Sequence, residues 1–131
     1  MKVLVDTCVW SKVLRHKKPD LKISNQLKDI ISDGRATIIG PIRQEVLSGI
    51  SDDSQFNSLK SKLSAFEDVP LKSEYFVYAA ELSNACRKKG VQGASTDFLI
   101  CAIALKLKML IFTSDNDFKQ YQNHLDIKLF S

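Results

Sequence analysis

The stretch that decides the fold is Ser95–Phe118, with the sequence STDFLICAIALKLKMLIFTSDNDF. Its first half contains Phe98–Leu105, which is apolar at every position and predicts a helix buried on all sides, with Ser95 as its N-terminal cap. Its second half contains Met109–Phe112, a short unbroken apolar run that is typical of a buried strand in a parallel sheet. A buried helix followed directly by a buried strand is characteristic of α/β proteins.

The rest of the chain repeats this alternation. Val3–Val5 and Ala36–Ile39 are predicted strands, and Ile127–Phe130 is a candidate terminal strand. The first three predicted helices are Val9–Leu14, a helix that is capped by Ser24 and carries Leu27, Ile30 and Ile31, and Ile42–Ser48. Two more are predicted from their apolar faces: one with Phe56, Leu59, Leu63 and Phe66, and a longer one with Phe76, Val77, Ala80 and Ala85. A short helix is predicted after the acidic turn near Asp115. The pattern predicts an α/β fold, a three-layer α/β/α sandwich around a mainly parallel sheet of four to five strands.

Length and composition narrow the class of protein. With 131 residues the chain has the size of one domain, and we expect residues 1–131 to form a single domain. The 44% of hydrophobic residues excludes a mainly disordered chain, and a net charge of +4 permits a polyanionic partner such as nucleic acid. No apolar run suits a membrane span or a signal peptide, so we expect a cytoplasmic protein with no membrane attachment. The spacing of Cys8, Cys86 and Cys101 predicts buried thiols without a zinc site or disulfide.

Acidic residues follow the predicted strands or open the next helices: Asp6, Glu45, Asp97, Asp115 and Asp117. Each has an ordinary structural explanation as a turn, a cap or a solvated helix residue. However, the carboxyl ends of parallel strands meet at one edge, where such proteins bind their ligands. Two carboxylates about 5 Å apart repel each other by roughly 3 kcal/mol at an effective dielectric constant of about 20. A cluster therefore predicts a bound cation, and oxygen ligands favour Mg²⁺ or Mn²⁺.

Four segments together resemble the PIN-domain family, in particular the VapC toxins of bacterial and archaeal toxin–antitoxin pairs. They are Val3–Thr7, Gly40–Gly49, Thr96–Ala102 and Ile111–Phe118, in this order along nearly the whole chain. The resemblance implies an acidic site that uses Asp6, Glu45, Asp97 and Asp115, with Asp117 as an additional acid and Thr113 as a polar residue that orients the site. It also implies a homodimer and a cognate antitoxin as partner.

The resulting hypothesis is a Mg²⁺-dependent endoribonuclease, with Mn²⁺ as a possible substitute, that inhibits translation by cutting structured transfer or ribosomal RNA. Cleavage by in-line attack would leave a 5′-phosphate and a 3′-hydroxyl. The expected metal ligands are Asp6, Asp97, Asp115 and Asp117, while Glu45 is a further ligand or a general base. Candidate RNA-binding residues are Lys12, Arg15, Lys17, Lys18 and Arg43, although solvated surface explains such clusters equally simply and Arg43 has the alternative of pairing with an acid.

Three alternatives stay open. A PIN-like protein could bind RNA or a partner protein without cleaving anything. A Mg²⁺-binding receiver domain would need adjacent acids after the first strand, whereas Thr7 follows Asp6, and it would need a lysine at a late strand end. A structure-specific DNA nuclease usually carries insertions, for which 131 residues leave little room.

Overall fold

The computed structural model describes residues 1–131 and contains three strands and seven helices. In chain order they are β1 (Val3–Val5), α1 (Thr7–Leu14), α2 (Leu21–Ser32), β2 (Ala36–Thr37), α3 (Gly40–Leu47), α4 (Asp53–Leu63), α5 (Ser73–Lys88), α6 (Ser95–Leu107), β3 (Leu110–Phe112) and α7 (Asp117–Gln122). None of the helices combines the length and the hydropathy needed to cross a bilayer.

The sheet is parallel, and β1 lies at its centre between β2 and β3. A single bridge extends each edge, from Ile38 to Asp68 beside β2 and from Ile111 to Leu129 beside β3. The predicted terminal strand over Ile127–Phe130 is thus present only as one pairing residue. The predicted α/β class is confirmed, with three strands and two single bridges where we expected four to five strands.

Every side chain of β1 is fully buried, which indicates that helices cover both faces of the sheet. Helix α5 packs along α6, and α1 packs against α2 and α3. The apolar stretch of α6 is buried from Phe98 to Ala104, as the sequence predicts. Trp10 is also fully buried, donates its indole N–H to the Val5 carbonyl and packs 5.0 Å from the Phe66 ring. The core therefore surrounds β1 and holds the start of α1 in place.

Two predicted helix caps are wrong. Helix α2 begins at Leu21 and is capped by Asp20, whose carboxylate accepts from two backbone N–H groups, while Ser24 is buried inside the helix. A carboxylate satisfies free N–H groups and also complements the positive end of the helix dipole, which favours Asp20. Helix α6 begins at Ser95 after Ala94, and no side chain caps it.

The predicted apolar face of α5 is also wrong. Phe76 and Val77 are 51% and 60% exposed, and Ala80 and Ala85 are exposed as well. The buried side chains are Tyr75, Ala79, Leu82 and Cys86. These positions follow the three- and four-residue spacing of one helix face, and α6 packs on α5. Phe66, which we expected on the helix with Phe56, lies beyond the end of α4 and joins the core from the following turn.

Candidate functional site

Asp6 is fixed at the carboxyl end of the central strand. Its backbone N–H donates to the Phe112 carbonyl of β3, and the residue is only 7% exposed. One carboxylate oxygen accepts from the Thr7 N–H at 2.8 Å, and the other accepts from the Thr113 hydroxyl at 2.8 Å. Asp6 therefore caps α1, which is the ordinary structural explanation, and also points into the edge where the other acids lie.

Thr113 connects the ends of β1 and β3. Its hydroxyl donates to Asp6 and accepts from the Asp115 N–H at 3.0 Å, so it holds two acidic residues in fixed relation. The Cys8 thiol completes this network, since its sulfur lies 3.5 Å from Asp6 Oδ2 and accepts from the Ser114 N–H. Cys8 is partly exposed and so differs from the prediction, whereas the other two thiols are buried as predicted and burial raises the pKa of both.

Three further acids converge beside this network. Asp97 in the first turn of α6, Asp115 in the turn after β3 and Asp117 at the start of α7 each place a carboxylate oxygen within 4.8 Å of the other two. Asp115 Oδ1 accepts from the Asp117 N–H at 2.9 Å, which orders that turn. Three carboxylates, one from α6 and two from the turn after β3, form an all-oxygen donor set, which fits a hard divalent cation. We call Asp97, Asp115 and Asp117 the acid trio.

The electrostatics of the site favour a cation. Burial raises the pKa of Asp6, against hydrogen bonds from Thr113, Thr7 and Cys8, and the charge of Asp115 adds to the increase. Burial and the charges of the other acids together raise the pKa of Asp97 to about 6, against a hydrogen bond from a tyrosine. Both carboxyl groups lack a positive neighbour that would stabilise their charged form. A bound cation would supply that charge.

Glu45 lies next to the site on α3 and does not belong to the acid trio. Its Oε2 accepts from the Thr7 hydroxyl at 3.0 Å, so Glu45 is linked through Thr7 to Asp6. Beside it opens a polar cavity of about 530 Å³, lined by Thr7, Pro41, Gln44, Glu45, Ser48 and Thr96. The Glu45 carboxylate is exposed and faces a space that solvent can enter.

The candidate RNA-binding residues lie in different surroundings. Lys12 donates to the Ser114 hydroxyl at 2.9 Å and thus borders the loop that carries Asp115. Arg15 and Lys17 follow the end of α1 and line a cavity of about 510 Å³ together with residues of α4, and Lys18 is exposed next to them in the sequence. Arg43 instead forms an ion pair with Asp68 at 3.0 Å and donates to the carbonyls of Leu63 and Phe66. Arg43 therefore pairs with an acid, which is the alternative to binding RNA.

Two residues of the site were missed in the sequence. The Tyr121 hydroxyl donates to Asp97 Oδ2 at 2.8 Å, and Gly93 lies directly against that hydroxyl. Tyr121 follows Asp117 by four residues on α7, so it lies one helical turn below an acid of the trio. That spacing was the signal available in the sequence, and an aromatic residue on a short helix is more simply explained as core.

The PIN domain family model matches residues 3–123 of this sequence. The chain belongs to the PIN domain family. The resemblance identified from four sequence segments is thereby confirmed, and the receiver-domain alternative is excluded. A comparison with curated proteins found no significant match.

Solved structures share the fold of this PIN domain. FitAcB from Neisseria gonorrhoeae superposes with a TM-score of 0.80 at 19% identity, covering 98% of this chain and 96% of that one. VapBC2 from Rickettsia felis, bound to a DNA fragment from its promoter, gives 0.77 at 20% identity, covering 99% and 98%. VapBC-1 from nontypeable Haemophilus influenzae gives 0.77 at 13% identity, covering 100% and 98%. At these identities the likeness establishes the fold.

Proposed function

We propose that this PIN domain is a Mg²⁺- or Mn²⁺-dependent endoribonuclease that acts as the toxin of a toxin–antitoxin pair. The observation that carries the proposal is the acid trio, in which α6 and the turn after β3 bring three carboxylate oxygens within 4.8 Å of one another beside the buried Asp6. Repulsion among these carboxylates lowers the stability of the domain, and a bound divalent cation would compensate for it. Membership of the PIN family supports a nuclease, and the proposed substrate is structured RNA.

The residues of the chain divide the work. Asp97, Asp115 and Asp117 would hold the ion, with Asp6 as a fourth carboxylate whose direction is fixed by Thr113. A bound divalent cation would neutralise the scissile phosphate and lower the pKa of a water molecule. Glu45 has one carboxylate oxygen engaged by Thr7 and the other free to accept the proton of the attacking water. In-line attack on phosphorus then releases a 3′-hydroxyl and leaves a 5′-phosphate.

The deciding experiment incubates the purified chain with structured transfer RNA in the presence of Mg²⁺, Mn²⁺ or EDTA. We expect cleavage with either cation and none with EDTA. Asp6→Asn and Asp97→Asn should each lower the cleavage rate by at least about 100-fold, because each removes a charge from the metal-binding carboxylates. Mapping the product ends by ligation checks the expected 5′-phosphate.

Asp126→Asn is the matched control, because Asp126 is an exposed acid at the opposite, amino edge of the sheet, where it lines a cavity with Met1 and Lys128. It should cleave like the wild type. Intact RNA under all conditions, combined with retained RNA binding, would favour the alternative of a PIN protein that binds without cutting. Wild-type cleavage by Asp97→Asn would refute the assigned site.

We also propose a cognate antitoxin and a homodimer. The antitoxin is suggested by the VapBC relatives, and the homodimer by the exposed Phe76 and Val77, which leave an apolar surface on α5. A small reading frame beside this gene would be the candidate antitoxin. Co-expression followed by light scattering should give a complex of both chains with suppressed RNA cleavage, and a strictly monomeric free chain would exclude the homodimer.

A further inference from the structure

We infer that Tyr121 is a positioning residue of the acid site, which fixes the Asp97 carboxylate, and that Gly93 is required to make room for its hydroxyl. The inference rests on the proposed function, because it concerns how the same carboxylates bind a divalent cation. None of the four sequence segments that carry the resemblance includes Tyr121 or Gly93.

The Tyr121 side chain is held firmly. It is fully buried, with its ring 4.9 Å from the Phe98 ring and 5.3 Å from the Phe118 ring. Phe98 adjoins Asp97 on α6, whereas Tyr121 and Phe118 belong to α7. The bond from the Tyr121 hydroxyl to Asp97 Oδ2 therefore ties the two helices that carry members of the acid trio.

Gly93 closes the space behind the hydroxyl. A Cβ atom at this position would overlap the Tyr121 oxygen and would lie 2.7 Å from the ring carbon Cζ. Because the ring is buried between two other aromatic rings, it has no free space into which it could withdraw. A side chain at residue 93 would thus push the hydroxyl away from Asp97. The absence of a Cβ at Gly93 is what allows the contact.

Asp97 depends on this single contact. Asp115 anchors its turn by accepting from the Asp117 N–H, and Asp6 has three hydrogen bonds, whereas the one side-chain donor to Asp97 is Tyr121. Without it, repulsion by Asp115 and Asp117 would drive the Asp97 carboxylate out of the trio. Donors that orient ligating carboxylates typically change metal affinity by about 10–100-fold. Tyr121 occupies Oδ2, and no side chain donates to Oδ1.

The test compares Mn²⁺ affinity by titration calorimetry, which does not depend on catalysis. Tyr121→Phe keeps the ring and removes only the hydroxyl, and we expect Mn²⁺ to bind at least about tenfold more weakly. Gly93→Ala keeps the hydroxyl and should weaken binding in the same direction. Tyr75→Phe is the matched control, because Tyr75 is a buried tyrosine of α5 with no hydrogen bond to an acid, and it should bind like the wild type.

RNA cleavage provides a second measurement. For Tyr121→Phe the Mn²⁺ concentration at half-maximal cleavage should rise by the same factor, while the rate at saturating Mn²⁺ should return towards that of the wild type. A folded Tyr121→Phe or Gly93→Ala variant with wild-type Mn²⁺ affinity overturns the inference and leaves the proposed function intact. A wild type that neither binds Mn²⁺ nor cleaves RNA overturns the proposed function and this inference together.

Discussion

Asp97 shows at the scale of one residue how a binding site opposes stability. Burial and three nearby acids raise its pKa from 3.8 to about 6, so the folded chain binds this proton more tightly than the unfolded chain does. Raising the pH from 4 to 7 therefore removes a proton that favours folding. Because solvent screens this half-exposed carboxyl group, for the metal-free protein we expect the Asp97 contribution to the free energy of unfolding to fall by about 1–2 kcal/mol over this range.

Urea denaturation at a series of pH values, in EDTA, measures this effect. The comparison is with Asp97→Asn, which keeps an acceptor for Tyr121 but cannot titrate, and whose stability should fall less between pH 4 and 7. Saturating Mn²⁺ should stabilise the wild type more at pH 7 than at pH 5, since the ion competes with the proton. Parallel pH profiles for the two proteins would show that Asp97 has an ordinary pKa.

Single residues also show what sequence can and cannot reveal about a site. Asp6 and Asp115 were predictable because they follow apolar strands, and parallel strands bring their carboxyl ends together. Tyr121 was not, because a buried aromatic residue is usually core and its hydrogen bond depends on a helix packing angle. Cys8 follows Asp6 by two residues, but its contacts with Ser114 and Thr113 depend on where β3 ends.

At the scale of elements, the fully buried pieces were predicted best. Helix α6 and strand β1 have apolar side chains in all directions, so their burial could be predicted without knowing which side faces the core. Helix α5 has apolar residues on two sides, and only the position of α6 decided that Tyr75 and Cys86 face the core while Phe76 stays outside. Local pattern therefore predicts that a helix exists more readily than it predicts which side is buried.

The backbone at the end of α6 is strained at Lys108, and a substitution there should relieve the strain. Lys108 adopts left-handed backbone angles, φ 55° and ψ 53°, and its N–H closes the helix on the Ala104 carbonyl. A residue with a Cβ pays roughly 1 kcal/mol for this conformation, whereas glycine does not. Lys108→Gly should therefore stabilise the protein by about 0.5–1 kcal/mol and raise the thermal midpoint by roughly 2–5 °C.

Lys60→Gly is the control for this change, because Lys60 is exposed within α4 and its substitution should destabilise by up to about 1 kcal/mol. Calorimetric unfolding of both variants separates the two effects, which have opposite sign. A lower midpoint for Lys108→Gly would show that the left-handed conformation of this residue is not strained.

At the scale of the whole molecule, charge is unevenly divided between the site and the rest. The 15 acidic residues less Asp6, Glu45, Asp97, Asp115 and Asp117 leave 10 against 19 basic residues, a net charge of +9 outside the site. Lys12 contacts Ser114 beside the acid trio and the chain continues from it to Lys18, whereas Lys108 and Lys128 lie at the opposite edge, near the start of β3. If RNA is bound by its phosphates, only the first group should matter for affinity.

The dependence of RNA binding on salt tests this division. In an Asp97→Asn background, where cleavage is blocked, Lys17→Glu with Lys18→Glu should weaken binding and reduce the slope of log affinity against log salt by about 2. Lys108→Glu with Lys128→Glu changes the net charge equally at the opposite edge and should leave the slope nearly unaltered. If RNA phosphates bind along the Lys12–Lys18 segment, the salt dependence of binding must depend on where the charge is reversed. Equal salt slopes for the two double variants would therefore mean that RNA responds only to the overall charge of the protein.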